Sequence, residues 1–247
     1  MVQVPRRTGF SGPALVRLLA RLADADAPPP ASSLSSQLSQ WLGWADAIAL
    51  SSALKANAPA MPPAASAAAG TEAQECARVR ATLAHAIVED TSLASRRRGP
   101  SRPSALPDPV DAQVDYAVYR QRYLTLQQGM ENAIASLRGR LRLALSARAP
   151  GMAKLAMVDA VMERTLGARE QTLLGAVPTL LEPHFQRLRQ AEAAALENQA
   201  QLAGQTGPAR PGAWLAVFRK DMQSVLLAEL EIRWQPVEGL LAALQDS

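Results

Sequence analysis

Apolar residues recur along this chain at steps of three and four, and no stretch shows the strict alternation of a half-buried strand. Leu15, Leu18, Leu19 and Leu22 fall on one face with Arg17 and Arg21 off it, which predicts a short amphipathic helix. Ser11-Gly12-Pro13 reads as its start, with Ser11 as N-cap and proline in the first turn. Pro28-Pro29-Pro30 cannot continue it. A second helix is expected from about Ser33 to Asn57, with Leu34, Leu38, Trp41, Leu42, Ala45, Ile48 and Ala49 as a single buried stripe. Thr71 to Arg98 reads as a third. Thr71 and Gln74 fit the capping-box spacing, and Val79, Leu83, Ala86, Ile87 and Leu93 form the inner face.

The most informative segment follows. Asp108-Pro109 opens a helix that runs to about Ala147, about 38 residues or roughly 57 Å at helical rise. Tyr116, Tyr119, Tyr123, Leu126, Met130, Ala133 and Leu137 are spaced alternately three and four apart, a heptad seam. Pro150-Gly151 turns the chain into a return helix carrying Leu155, Val158, Met162, Leu166, Leu173, Val177, Leu181, Phe185 and Leu188. Gly167, Gly175, Pro178 and Pro183 should kink it or divide it into two or three pieces. The segment from Gly204 to Gly212 turns again. A last helix starts near Ala213 with Leu215, Phe218, Met222 and Val225 on one face, and Pro236 is expected to break it before a short helix from Val237 to Leu244.

This punctuation gives an N-terminal helical pair (1–57), an Ala/Pro-rich linker (58–70), a helix (71–98) and a basic Pro-rich linker (99–108). A long antiparallel helical bundle (109–247) completes the chain. The fold class is all-α: an N-terminal helical segment plus an elongated bundle with coiled-coil-like seams, its long segments antiparallel because their connections are short. Composition agrees, since aromatic residues are only 4% and the core must be built from Ala, Leu, Val and Met.

A net charge of +4 invites a nucleic-acid reading, but the excess is local. Residues 109–150 carry six basic and three acidic side chains, whereas 151–247 carry nine and eleven. Two basic patches stand out: Arg96, Arg97, Arg98 and Arg102 at a helix end and in a linker, and Arg138, Arg140, Arg142 and Arg148 at a helix C-terminus, where the helix dipole alone favours cations. Arg138 and Arg142 align on one face and Arg140 points away. The tyrosines beside Arg120 and Arg122 resemble a stacking platform for single strands, yet their heptad positions favour packing. The many carboxylates after residue 150 read as solvated polar faces.

Candidate chemistry is sparse. His85 and Glu89, one turn apart, read as a solvated or capping pair rather than a metal site, and His184 after Pro183 reads as structural. Cys76, the only cysteine, precludes an intrachain disulfide and suits a reducing compartment. Arg78 and Arg80 would lower its pKa, but a lone thiol is more often a small buried hydrophobe. No phosphate loop, zinc ligand set or dinucleotide fingerprint occurs. The expectation is a non-enzyme with no cofactor and no metal.

Arg6-Arg7-Thr8-Gly9-Phe10 is similar to a twin-arginine signal, but Arg17 and Arg21 interrupt the apolar segment that must follow. No run of about 18 apolar residues occurs, so the expected location is cytoplasmic with no transmembrane segment.

Residues 6–13, Leu15-Val16-Arg17-Leu18-Leu19, Leu38-Ser39-Gln40-Trp41-Leu42-Gly43-Trp44 and Asp46-Ala47-Ile48 resemble a proteobacterial family known as domain of unknown function 3348. The family brings no catalytic residue or cofactor. By association rather than by any residue here, the resemblance implies a cytosolic accessory to an envelope assembly containing stator-like and OmpA-like proteins.

The first functional expectation is therefore a scaffold or adaptor that binds another helical protein or a second copy of itself. Its candidate seam is Tyr116, Tyr119, Tyr123, Leu126, Met130 and Leu137. Weak nucleic-acid binding through the arginine patches comes second. Peripheral membrane contact by the Arg17/Arg21 helix comes last.

Overall fold

The computed structural model describes residues 13–24, 34–55, 68–96, 115–201 and 212–246, and every regular element among them is an α-helix. The order is α1 (Ala14–Ala23), α2 (Leu34–Trp41), α3 (Trp44–Lys55), α4 (Ala68–Arg96), α5 (Tyr116–Ser146), α6 (Pro150–Gly175), α7 (Val177–Gln201) and α8 (Ala213–Gln245).

Three long segments make the bundle. α5 and α6 are joined by the short turn Ala147–Ala149 and run antiparallel, since Gln171 reaches Glu131 near one end and Asp159 reaches Arg138 near the other. α7 continues in the direction of α6 after a break at Ala176 and runs antiparallel to α8, as the pairs His184–Asp221 and Glu192–Gly212 show. α8 therefore lies parallel to α5 and makes its largest contact there. α4 covers the α5–α8 groove, α3 lies on α6, and α1 lies on α7 and α8. The two N-terminal elements thus dock on different parts of the bundle, with Leu15, Ala20 and Leu22 of α1 buried and Arg187 donating to the Leu22 carbonyl.

Local chemistry sets the ends, and several differ from expectation. α5 begins at Tyr116, not at 109, because Asp115 takes an extended conformation and its carboxylate accepts from the Ala117 N–H (3.0 Å). The expected helix from Ser33 to Asn57 is two helices hinged at Gly43, whose N–H bonds the Asp46 carboxylate (3.2 Å), the return arm of a capping box for α3. α4 starts at Ala68, so Thr71 lies inside it rather than at its cap. Pro13 stands just before the first residue of α1; Ser11 lies outside the described residues. At α8 the cap comes from another helix: the Glu192 carboxylate accepts from Gly212 and Ala213 N–H (both 3.0 Å). Gly212 has φ 87°, a left-handed conformation that favours glycine.

The prolines behave unequally. Pro178 falls at the second position of α7, where its missing N–H costs α7 nothing, but the carbonyl of Leu174 is left without its donor. Gln127 supplies one, donating through Nε2 at 2.9 Å. Pro183 and Pro236 break nothing; α7 and α8 run through them, as α6 runs through Gly167. The expected separate C-terminal helix from Val237 is the end of α8, held by burial of Val237, Leu240 and Leu244. Packing outweighs one missing hydrogen bond.

The α5 seam is also not a strict heptad. Its buried line is Tyr116, Tyr119, Tyr123, Gln127, Met130, Ile134, Leu137, Leu141 and Leu145, close to the 3.6 period of a straight helix. Leu126 is only half-buried and yields its place to Gln127, as Ala133 does to Ile134. In α6 the buried positions are Ala153, Ala156 and Leu174, while Leu155 and Leu173 face out. On α4 Cys76 and Ile87 are buried and Ala86 is exposed. No described helix is long and apolar enough to cross a membrane.

Candidate functional site

Halfway along the α5–α8 contact the core turns polar. Tyr123 and Gln127 on α5 and Glu229 and Arg233 on α8 each sit one turn apart, so both pairs face the same level of the groove. Glu229 is fully buried. It accepts from the Tyr123 hydroxyl (2.7 Å), from Gln127 Nε2 (2.9 Å) and from Arg233 Nε (2.8 Å). Burial, followed by the Glu229 charge, pushes the Tyr123 phenol far above its ordinary pKa. The carboxylates placed among solvated surface charges by sequence thus include one in the deepest part of the core, because its face of α8 is turned into the bundle, while Glu231 two residues on stays exposed.

Arg233 links this cluster to the outside. Its other two nitrogens reach Glu170 on α6 (3.3 Å) and Glu131 on α5 (3.2 Å), both at the rim of a cleft of about 510 Å3. The cleft is floored by Ile134, Leu166, Leu174 and Ile232 and bounded by Pro236 and Gly167. Trp41 from the end of α2 closes one side, with the Arg169 guanidinium 5.5 Å from its ring centre. Pro236 has no N–H to give the Ile232 carbonyl, and among the described residues no side chain donates to it.

The arginines expected to form a basic patch point into the chain's own carboxylates. Arg138 bonds Asp159 (2.7 Å) and Glu163 (3.3 Å), and Arg142 bonds the same two at 2.8 and 2.6 Å. Arg140, on the opposite face as expected, reaches Glu72 and Glu75 of α4 at 3.1 and 2.9 Å. The Arg148 guanidinium has a buried nitrogen with no hydrogen bond. Arg97, Arg98 and Arg102, and the side chain of Arg96, lie outside the described residues.

The candidate seam closes within the chain. Tyr116, Tyr119, Tyr123, Met130 and Leu137 are buried and Leu126 partly so. Tyr116 and Tyr119 pack with Phe185 and Phe218 at ring separations of 5.3 to 6.2 Å, and Phe185 packs in turn with Trp214 at 4.9 Å. The Tyr119 hydroxyl accepts from Arg219, and the Tyr116 hydroxyl donates to the Pro178 carbonyl. The apolar face of α1, weighed for membrane contact, is turned into the core.

Cys76 is buried, and burial together with Glu72 raises its pKa. This reverses the lowering expected from Arg78 and Arg80, which are engaged by Glu75 and by Glu231 and Glu238. His85 and Glu89 form an exposed pair at 3.3 Å, and His184 contacts Asp221 at 2.8 Å.

One surface departs from expectation in the opposite sense. α3 packs on α6 through Ala49, Leu50 and Ala53, with Asp46 accepting from the Thr165 hydroxyl (3.1 Å). Its larger apolar residues face out: Trp44 is 83% exposed, Ile48 50% and Leu54 53%. Of the stripe expected to be buried, Trp41, Leu42 and Ala49 are half-buried, Ala45 and Ile48 beyond the Gly43 hinge point outward, and the side chains of Leu34 and Leu38 lie outside the described residues.

No curated protein and no solved structure matches the chain. A family model matches residues 1–246, the whole bundle and the helices docked on it, and the chain belongs to that family, described as protein of unknown function (DUF3348).

Proposed function

We propose that the protein is a non-enzymatic helical scaffold or adaptor that receives a helix of a partner protein on the outer face of α3. The observation behind this reading is the outward set of Trp44 and Ile48, one turn apart on one face of α3. A tryptophan this exposed is rare in a monomer's surface, and tryptophan is the residue most enriched where binding energy concentrates. The two side chains offer a patch on the order of 300 Å2, at the lower end of the largest patches on typical monomers, which are often functional. Each partner in a stable interface contributes about 800 Å2, so the patch alone suits one docked helix better than a second whole copy. The ion pairs of Arg138, Arg140 and Arg142 count against the nucleic-acid alternative, because those guanidinium groups are already spent.

A photo-crosslinking residue placed at Trp44 in the native cell tests the reading. The expected result is a single adduct with one helical protein, identified by mass spectrometry and abolished by Ile48→Glu in the same chain. Sedimentation of the purified protein should give a monomer. A concentration-dependent dimer abolished by Ile48→Glu would replace the partner helix by self-association, and the absence of any adduct would end the proposal.

A further inference from the structure

We infer that the helix received on the outer face of α3 is acidic and amphipathic. Its apolar residues meet Trp44 and Ile48, and its carboxylates meet Lys55 and the cations of α6 beside it. This names the chemistry of the partner and rests on the adaptor reading above.

The shape of the face comes first. Trp44, Ile48, Ser51 and Lys55 are spaced four, three and four apart, one stripe along the outer side of α3. Asp46, Ala49, Leu50 and Ala53 occupy the opposite side, which packs on α6. An apolar half, a small residue and a cation in heptad register suit one helix laid alongside, with a carboxylate opposite Lys55. A membrane-bound helix buries a broad apolar face, which two side chains do not supply.

Charge decides the sign of the partner. Within α3 and α6 every carboxylate is already bonded. Asp46 accepts from Thr165 and the Gly43 N–H, Asp159 and Glu163 pair with Arg138 and Arg142, and Glu170 pairs with Arg233. The cations are not. Among the described residues Lys55, Lys154 and Arg164 have neither a hydrogen bond nor an ion pair, and Arg169 has only the Trp41 ring. Trp41 meets Arg169 and Asp46 meets Thr165, so α3 runs antiparallel to α6. Lys55, nine residues beyond Asp46, therefore falls near the level of Lys154, eleven before Thr165, and Arg164 stands next to Thr165. Glu170 lies about 140° round α6 from Thr165 and is turned to Arg233 of α8, so the carboxylates that share Arg233 are on the far side. The dipole of α3 accounts for Lys55 at its C-terminal end, but Lys154 is near the N-terminal end of α6 and Arg164 in its middle.

The test adds charge changes to the full chain that carries the cross-linking residue at Trp44. Lys55→Glu with Lys154→Glu should lower the yield of the adduct about tenfold or more, since like charges then face each other. Lys55→Arg with Lys154→Arg should keep it. Circular dichroism and thermal melts should show both variants folded, because neither lysine has a partner to lose. Mass spectrometry of the adduct should place Asp or Glu within about two turns of the linked residue, on one face of a helix. An adduct that survives charge reversal, or a linked segment without carboxylates, would overturn the acidic partner and leave the adaptor reading standing. No adduct in any variant would end both. An adduct with a second copy of this chain would overturn the inference. So would binding of the purified chain to phosphatidylglycerol vesicles that Ile48→Glu abolishes, by making the face a membrane contact.

Discussion

The α5–α8 contact is held in two different ways only a few turns apart. At its start Tyr116, Tyr119 and Phe218, with Phe185 and Trp214, form an aromatic cluster in edge and tilted contacts. Further on, Tyr123, Gln127, Glu229 and Arg233 form a polar cluster in which Glu229 is as deeply buried as Phe218. The aromatic end gains from area removed from water, about 25 cal/mol per Å2, and asks little about register. The polar level must recover the desolvation of two charges, and does so only where all partners meet. Sliding α8 by one turn would keep rings against rings but would take Glu229 away from Tyr123 and Gln127. The polar level therefore acts as a register pin for two parallel helices that no short loop holds together. The price is a carboxylate whose loss the core cannot absorb.

The largest expected effects separate these two kinds of contact. Phe218→Ala should cost about 3–5 kcal/mol through its cavity, and no companion change should restore it. Glu229→Ala should cost a similar 3–5 kcal/mol, because Arg233 loses its deepest partner. Yet Tyr123→Phe, Glu229→Leu and Arg233→Met combined should lie within about 1 kcal/mol of the native protein, or above it, as buried ion pairs replaced by apolar groups often do. Urea unfolding measures all three. A triple variant less stable than Glu229→Ala would show the cluster to be a net source of stability rather than of register.

Alkali should sharpen the contrast with a smaller effect. Tyr123 and Tyr116 both have folded-state pKa values raised, by burial first, above the roughly 10 of an unfolded tyrosine. A raised pKa means that the folded chain holds the proton more tightly. The associated stability is complete below pH about 10 and is lost as pH rises through the folded value, at up to about 1.4 kcal/mol per pH unit for each phenol. Tyr123→Phe should remove one phenol's share of the slope above pH 10 in thermal melts. An unchanged slope would mean that Tyr123 keeps contact with water.

Legibility in the sequence divides along the same line. The aromatic end could be read from spacing, since Tyr116, Tyr119, Phe185 and Phe218 all lie on expected apolar faces. The polar level could not, for two physical reasons. A 3.5 period admits Leu126 and passes over Gln127, whereas a straight helix drifts by about 20° per heptad and brings Gln127 inward. Glu229 and Arg233 look like a solvated pair one turn apart, and only the turning of their face of α8 into the bundle buries them. One signal was available: Val225, Leu226, Leu230, Trp234 and Val237 surround Glu229 on several sides, a helix apolar nearly all round. The Gly43 hinge was the other gap. Continuous periodicity from Leu34 to Ala49 hid a break that one glycine and the Asp46 carboxylate produce.

The smallest expected effect lies outside the core and tests whether surface pairs share the pinning role. Glu75 on α4 accepts from Arg78 at 2.7 Å and from Arg140 of α5 at 2.9 Å, and these bonds, the Arg78 one foremost, hold its pKa at about 2 instead of 4.5. A lowered carboxylate pKa contributes stability that is present above the unfolded value. That contribution is lost as pH falls from about 4.5 through about 2. Acid should therefore loosen α4 from α5 in this window, and Glu75→Gln should flatten the pH dependence of the melting temperature there. Exposed pairs are screened by salt, so raising the ionic strength should shrink the difference between Glu75→Gln and the native protein. The deficit of Glu229→Ala should persist, because its partners are shielded from solvent. If both deficits fade together with salt, the distinction between a buried pin and a surface tether fails, and Glu229 must be reached by water and ions through the Arg233 cleft.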